Sequence, residues 1–531
     1  MTRRRNMFAV VGLLFGVIAV CEPGWAQDTP VPDSSAPTTP SQPDTAQSQP
    51  AQSQPAQSQE PAPAYGQQGP ASPINENPPL TGLDVPSLEP HAAPLSYIQP
   101  GATISETADS NVDNTVGATG FNSVSRAMGS LLLNRAWSHY NLALDYIGGF
   151  AYYDVGSNRI KTLQQMDFEQ KVTWKRGQFS VRDSFSYLPD GNFGGSFGSL
   201  GSQGIGSLGS TYGALTQGSI LGALGDAPRL LNITVGEVEQ VLTPRSAVTA
   251  TGGYAVLHFY GPDVTTGTPF IGSSEFSGQV GYNRLLTSKT QVAVAYAYER
   301  FNFSVLDSTF DAQVVQFIYG HQITGRMDFM AGAGPQFTEL HLPCSFVDVF
   351  TVPQDCSINS SGAVVGSIPD QRIGLAAQAR LHYKFPRTTM EIDYRRTNTQ
   401  GSGVFAGAET DLVRLSAYRP ISRVWGAGVD VGYSRSSRLQ PLSQLQLDTC
   451  GGTGQPACPG STANVYDTGF AGMFVQRPFS RTLHMFVSYQ FNYLNFGQSY
   501  CSVLEPTCSH VGHRQVISIG LDWLPRPIRI D

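Results

Sequence analysis

The chain has 531 residues, with 33 Lys or Arg against 40 Asp or Glu, and its formal net charge of −7 offers no default surface for nucleic acid. Only 14% of the residues are charged, against roughly 25% in ordinary soluble domains, while 56 are glycine. Beyond the N-terminus no apolar run reaches the roughly 18 residues of a membrane-crossing helix, which leaves a long β protein or a helix-free membrane protein.

Residues 1–26 read as a secretory signal. Arg3, Arg4 and Arg5 precede an apolar stretch from Met7 to Val20, and Gly24 and Ala26 supply the small residues that flank a cleavage point after Ala26. A membrane anchor is the competing reading, but about fourteen apolar residues fall short of a ~30 Å hydrocarbon core. A lipoprotein reading through Cys21 is opposed by Val20, which stands where a small residue is wanted.

Residues 27–98 are dominated by Pro, Gln, Ser and Ala, and Ala46-Gln47-Ser48-Gln49-Pro50 recurs from Ala51 to Pro55. Such a segment buries too little apolar surface to offset chain entropy, so a disordered periplasmic arm is expected, serving as a spacer or as a contact for periplasmic partners.

From residue 99 to 531 the hydrophobic period is two. Leu483, Met485, Val487, Tyr489, Phe491 and Tyr493 alternate with His484, Phe486, Ser488, Gln490, Asn492 and Leu494; Ile373 to Phe385 and Met390 to Arg395 behave alike. These are strands with one apolar and one mostly polar face. About 18 are expected, with 16 as the alternative, beginning near residues 101, 124, 139, 163, 178, 230, 246, 273, 290, 310, 326, 371, 388, 408, 423, 466, 481 and 513. Their connections alternate between short and long, the pattern of an all-β, up-and-down antiparallel transmembrane β-barrel with tight periplasmic turns and extended outer loops.

The short turns share chemistry. Pro244-Arg245-Ser246, Thr287-Ser288-Lys289, Pro386-Arg387-Thr388, Pro420-Ile421-Ser422-Arg423 and Pro478-Phe479-Ser480-Arg481 each join two alternating runs. Proline supplies the turn dihedral and removes a donor that would lack a ladder partner. Trp137, Tyr140, Trp174, Phe385, Tyr418, Trp425, Phe479 and Trp523 lie close to these turns, where an aromatic girdle belongs.

After loss of Cys21, the remaining cysteines form close pairs, each inside one expected long loop. Loop-local disulfides Cys344–Cys356, Cys450–Cys458 and Cys501–Cys508 are expected in an oxidising compartment. Zinc is the rival reading, weakened by loose spacing and the absence of C-x-x-C. No metal or other cofactor is expected.

The connection 188–228 is long, low in charge and rich in Gly, Ser, Leu and Ala. It folds into the lumen as a constriction, or stands outside as a flap; the sequence leaves both open. The alternation turns Asp145, Glu169, Lys171, Arg182, Glu275, Arg380, Lys384, Glu391, Asp393, Arg395 and Asp430 inward as pore-lining candidates, with Asp167, Glu299, Arg414 and Asp522 on the same face. Glu391, Asp393 and Arg395 line one strand and are the first candidates for a selectivity element, since opposed charges across a narrow pore create a transverse field. No catalytic residue is assigned. The histidines are dispersed, H-E-x-x-H and phosphate-loop motifs are absent, and Ser196 matches a nucleophile elbow only within glycine repeats.

In these features residues 96–531 resemble Gram-negative outer-membrane β-barrel proteins of the porin type. Ser518, Gly520 and Trp523 resemble the terminal-strand signal of such barrels, and the tail Pro525 to Asp531 departs from the aromatic end common among them. The resemblance implies a cell-outer-membrane location, with the arm periplasmic and the long loops extracellular. It implies as partners the surrounding lipid, the barrel-assembly machinery during biogenesis, small hydrophilic solutes, and further copies in a homotrimer. Two functions then stand side by side: a passive channel for small hydrophilic solutes, and a structural or export barrel that anchors a periplasmic assembly or passes a polysaccharide outward. The second would place function in the arm, and neither makes the chain an enzyme.

Overall fold

The computed structural model describes residues 79–81, 96–111, 120–154, 159–188, 228–260, 271–303, 308–343, 356–358, 364–399, 407–422, 424–439, 464–495 and 511–530. No helix occurs among them. The strands are β1 (Tyr97–Asp109), β2 (Asn122–Ala136), β3 (Tyr140–Tyr153), β4 (Ile160–Trp174), β5 (Gly177–Leu188), β6 (Arg229–Thr243), β7 (Ser246–Phe259), β8 (Ser273–Thr287), β9 (Thr290–Phe303) and β10 (Ser308–Thr324). They continue as β11 (Met327–Pro343), β12 (Cys356–Ile358), β13 (Val364–Lys384), β14 (Thr389–Thr399), β15 (Ala408–Pro420), β16 (Gly426–Arg438), β17 (Val465–Pro478), β18 (Leu483–Asn495), β19 (Val511–Trp523) and β20 (Ile528–Arg529).

Each long strand pairs antiparallel with the next; β11 pairs with β13 past the short β12, and β19 returns to β1. The described sheet is therefore a closed barrel of eighteen long strands, and closure removes the edges that so long a sheet would otherwise expose. Every expected strand has its counterpart. The largest offset is at β13, which starts at Val364 rather than near 371 because its first residues pair with the β12 backbone, Cys356 opposite Gly366. Near 423 the sequence suggests a strand, but the Ile421 and Ser422 N–H groups bond the Trp425 carbonyl at 2.8 and 3.2 Å as a turn, and β16 starts at Gly426.

Strand β19 displays the two faces. Ile517, Ile519, Leu521 and Trp523 are 37–52% exposed, whereas Arg514, Val516, Ser518 and Asp522 are at most 5% exposed. The same split puts Phe150, Phe276, Val280, Tyr296 and Phe317 on the outside. An apolar band carried outward by strand after strand is a lipid-facing surface, so the fold is that of a transmembrane barrel.

The short turns are tied by their own side chains. In Thr243-Pro244-Arg245, Thr287-Ser288-Lys289 and Thr324-Gly325-Arg326, the threonine Oγ1 accepts the N–H two residues on, at 3.3, 3.2 and 3.3 Å. Ser480 Oγ does the same for the N–H groups of Thr482 and Leu483. This Thr-x-basic signature is present in the sequence alongside the prolines. Arg135 stands 4.7 Å above the Trp137 ring and Arg477 stands 5.2 Å above that of Trp425, so the rim pairs cations with aromatic faces. Tyr418 departs from the expected girdle: it shares the inward face with Arg414, four residues before it, and stacks on Phe474, ring centres 6.2 Å apart. At the middle of β11, Pro335 interrupts the ladder to β10, and Gly334 permits an approach by the Val315 carbonyl that a Cβ would block at 1.7 Å.

Part of the segment expected as an arm belongs to the barrel. Tyr97 and Ile98 open β1, and Leu80 and Thr81 lie against the barrel wall, Thr81 being 1% exposed. The tail after Trp523 folds back as β20 onto Tyr97 and Ile98, and Gln99 Nε2 donates to the Pro525 carbonyl at 2.8 Å. The signal segment 1–26, the rest of the arm up to residue 95, residues 189–227 of the expected constriction, and Cys344, Cys450, Cys458, Cys501 and Cys508 lie outside the described residues. Cys356 is described by its backbone alone.

Candidate functional site

The site is the inward face of the wall, and the strand period fills it. In each strand the odd or the even residues turn inward together, so one register error would exchange the lumen for the lipid face. All eleven pore-lining candidates stand on this face: Asp145, Glu169, Lys171 and Arg182 on β3–β5, Glu275 on β8, and Arg380, Lys384, Glu391, Asp393, Arg395 and Asp430 on β13–β16.

They fall into two walls. On β3–β6, Asp145 is directly opposite Asp167, Ser184 Oγ donates to Asp167 at 2.6 Å, and Arg182 bonds Glu169 at 3.1 Å; Glu237 and Glu239 extend the acidic character onto β6. On β13–β16, Arg414 forks onto Asp430 with bonds of 2.9 and 2.6 Å, and Arg395 Nε donates to both oxygens of Asp393 at 3.0 Å. His382 Nδ1 and Asp328 Oδ1 are 3.0 Å apart. Strands β4 and β14 are half-way round the ring from each other, so a wall with more acid than base faces one with more base than acid. Glu391, Asp393 and Arg395 thus do not oppose one another across the lumen. Asp393 is neutralised laterally by Arg395 on its own strand, and the opposition is between walls. Single-strand reasoning missed it, since which strands face each other follows only from ring closure.

A third wall is apolar. Towards the long-loop end, Phe301, Phe303, Phe310 and Leu340 from β9–β11 form one buried cluster with Leu439, which follows β16. Phe301 and Phe310 stack with ring centres 4.3 Å apart. Gly407, at φ +91°, lies against the same ring: a Cβ there would be 2.9 Å from Phe310. The chain either side of β15 and β16 therefore bends inward and covers the aromatic residues at this end of the lumen. Towards the short-turn end, Ala293, Ala295, Ile318 and Met330 form another apolar cluster, which Leu80 packs against.

Among the described residues no three His, Cys, Asp or Glu side chains gather as metal ligands. Closed wall, lipid-facing exterior and charged interior together define a transmembrane β-barrel with a polar lumen. No family model matches the sequence, and no curated protein matches it. Among solved structures the chain is similar to OccK2 (OpdF) of Pseudomonas aeruginosa, at 8% identity over 80% of this chain and 98% of that one, TM-score 0.37. It is similar also to a BenF-like porin from Pseudomonas fluorescens Pf-5, at 10% identity over 82% and 99%, TM-score 0.37. A ferric-catecholate import receptor, Fiu of E. coli K12, aligns at 10% identity over 82% of each chain, TM-score 0.38. The fold itself stands on the strand ladders of this chain.

Proposed function

We propose that the chain is an outer-membrane channel of a Gram-negative bacterium through which small hydrophilic solutes diffuse passively. The observation that carries this reading is the facing of two charged walls across one lumen: β3–β6, where Lys161, Lys171, Arg182 and Arg229 nearly balance the carboxylates, and the more basic β13–β16. Charges set in a barrel interior need water, and opposed walls orient dipolar and charged solutes as they pass. The arrangement calls for no reaction step. Residues 188–228 remain the candidate constriction.

The test is the single-channel conductance of the refolded mature protein in a planar bilayer, with and without residues 190–226. Stable conductance steps are expected, larger after the deletion. Silence in both forms, with the heat-sensitive gel mobility of a folded barrel intact, would overturn the channel reading and favour an anchoring or export role.

A further inference from the structure

Thr81 is held at every polar atom. Its N–H donates to Asn283 Oδ1 at 3.2 Å, and its carbonyl accepts from Gln279 Nε2 at 2.9 Å and Thr249 Oγ1 at 3.2 Å. Its hydroxyl lies 2.6 Å from Thr249 Oγ1 and accepts from Asn283 Nδ2 at 2.5 Å. Gln279, Gly281 and Asn283 are successive inward positions of β8, so one strand presents a donor, a gap and an amide that reads both sides of the threonine. The gap is matched to its occupant. A Cβ on Gly281 would meet three Thr81 atoms at 2.2, 2.4 and 2.7 Å before any other, and a Cβ on Gly320 would meet three atoms of Leu80, the nearest at 2.7 Å. Two absent side chains on two strands thus make room for two consecutive residues of a segment remote in sequence. Recognition of main-chain N–H and C=O together, with a pocket for one aliphatic side chain, is the chemistry of a peptide site, here filled by a turn at Leu80 and Thr81.

We propose that the lumen contains a peptide seat, formed by Thr249, Gln279, Asn283, Gly281 and Gly320 with the Ala293, Ile318 and Met330 cluster, and that the chain's own Pro79-Leu80-Thr81 occupies it as a tethered occluding ligand. Thr249 is three residues past the start of β7, and Asn283 and Gly320 are each four residues before the end of their strands at the short turns, so the seat lies near the periplasmic mouth. The chain re-enters the wall at Tyr97 on β1, seven strands round the ring from β8, and the two fixed points therefore stand on well-separated walls. Occupation of the seat narrows the lumen at that mouth. The seat stands by itself, while its effect on flux rests on the channel reading.

The test uses the full mature chain. In a Thr81→Cys/Thr249→Cys variant, oxidation is expected to give an 81–249 disulfide, identified by peptide mass; its absence from a folded barrel would overturn the seating. Gly281→Ala and Gly320→Ala, alone and together, are expected to raise unit conductance by displacing the segment, because the new methyl groups meet the segment before anything else. Gly374→Ala, whose Cβ would have nothing closer than 4.0 Å, is expected to leave conductance unchanged. Wild-type conductance in the double alanine variant, with the cross-linked protein conducting equally well, would overturn occlusion. A cross-link that forms in a barrel that never conducts would support the seat and overturn the channel reading instead.

Discussion

Asp109 and Arg514 join the first and last long strands of the barrel through a buried bidentate pair, Arg514 Nε donating to the two carboxylate oxygens at 3.0 and 2.9 Å across 405 residues of sequence. The side chains are 1% and 6% exposed, and below them on the same inward seam Thr107 meets Ser518 at 2.9 Å and Thr103 donates to Asp522 at 2.7 Å. Ring closure is thus marked by polar contacts on the luminal side as well as by the ladder.

Removing Arg514 leaves the buried Asp109 carboxylate without its counter-charge, although it still accepts the Asn111 N–H at 3.0 Å. Arg514→Ala is expected to cost about 3–5 kcal/mol, seen as a lower temperature for loss of the compact band in heat-modifiability gels. The double variant Asp109→Asn/Arg514→Gln, which keeps polar contact without the orphaned charge, is expected to lose less. Equal losses in both would show that the seam depends on the charge itself.

The Arg414–Asp430 fork gives a selectivity test with a defined sign. Arg414→Ala uncovers Asp430 on the inward face and is expected to shift the reversal potential in a salt gradient towards cation preference. Asp430→Asn uncovers Arg414 and is expected to shift it the other way. Unchanged potentials in both variants would place the pair away from the solute path.

The aromatic cluster towards the long-loop end separates packing from permeation. Phe310 is 1% exposed, stacks on Phe301 and Phe303 and leaves no room for a side chain at Gly407, so Phe310→Ala is expected to destabilise the barrel by about 3–5 kcal/mol and to widen this end of the lumen. The stability loss is read by heat modifiability and the widening by unit conductance. Gly407→Ala is expected to strain the chain twice, through its φ of +91° and through contact with the Phe310 ring.

The loop cysteines are expected to pair as Cys344–Cys356, Cys450–Cys458 and Cys501–Cys508, which non-reducing peptide mapping would establish. Because the paired residues are close in sequence, reduction is expected to leave the heat-modifiable barrel intact and to speed proteolysis within the loops. Cross-loop masses would replace this pairing with another.

The sequence by itself determined the period of two from β1 to β19, the alternation of short and long connections, and therefore the barrel and the inward position of residues such as Glu169, Arg395 and Asp430. These follow from local chemistry, because a residue's face in a strand is fixed by its parity and a tight turn by the few residues within it. Only the tertiary structure decided which walls face each other, that Asp393 is neutralised by Arg395 on its own strand, and that Tyr418, inward by its parity with Arg414, stacks on Phe474. It alone placed Leu80 and Thr81, from a segment whose composition reads as a spacer, opposite Gly320 and Gly281. A cavity matched to a remote segment leaves no periodic trace, since each glycine is unremarkable until the strand that bears it is set in the ring and the occupant is brought to it.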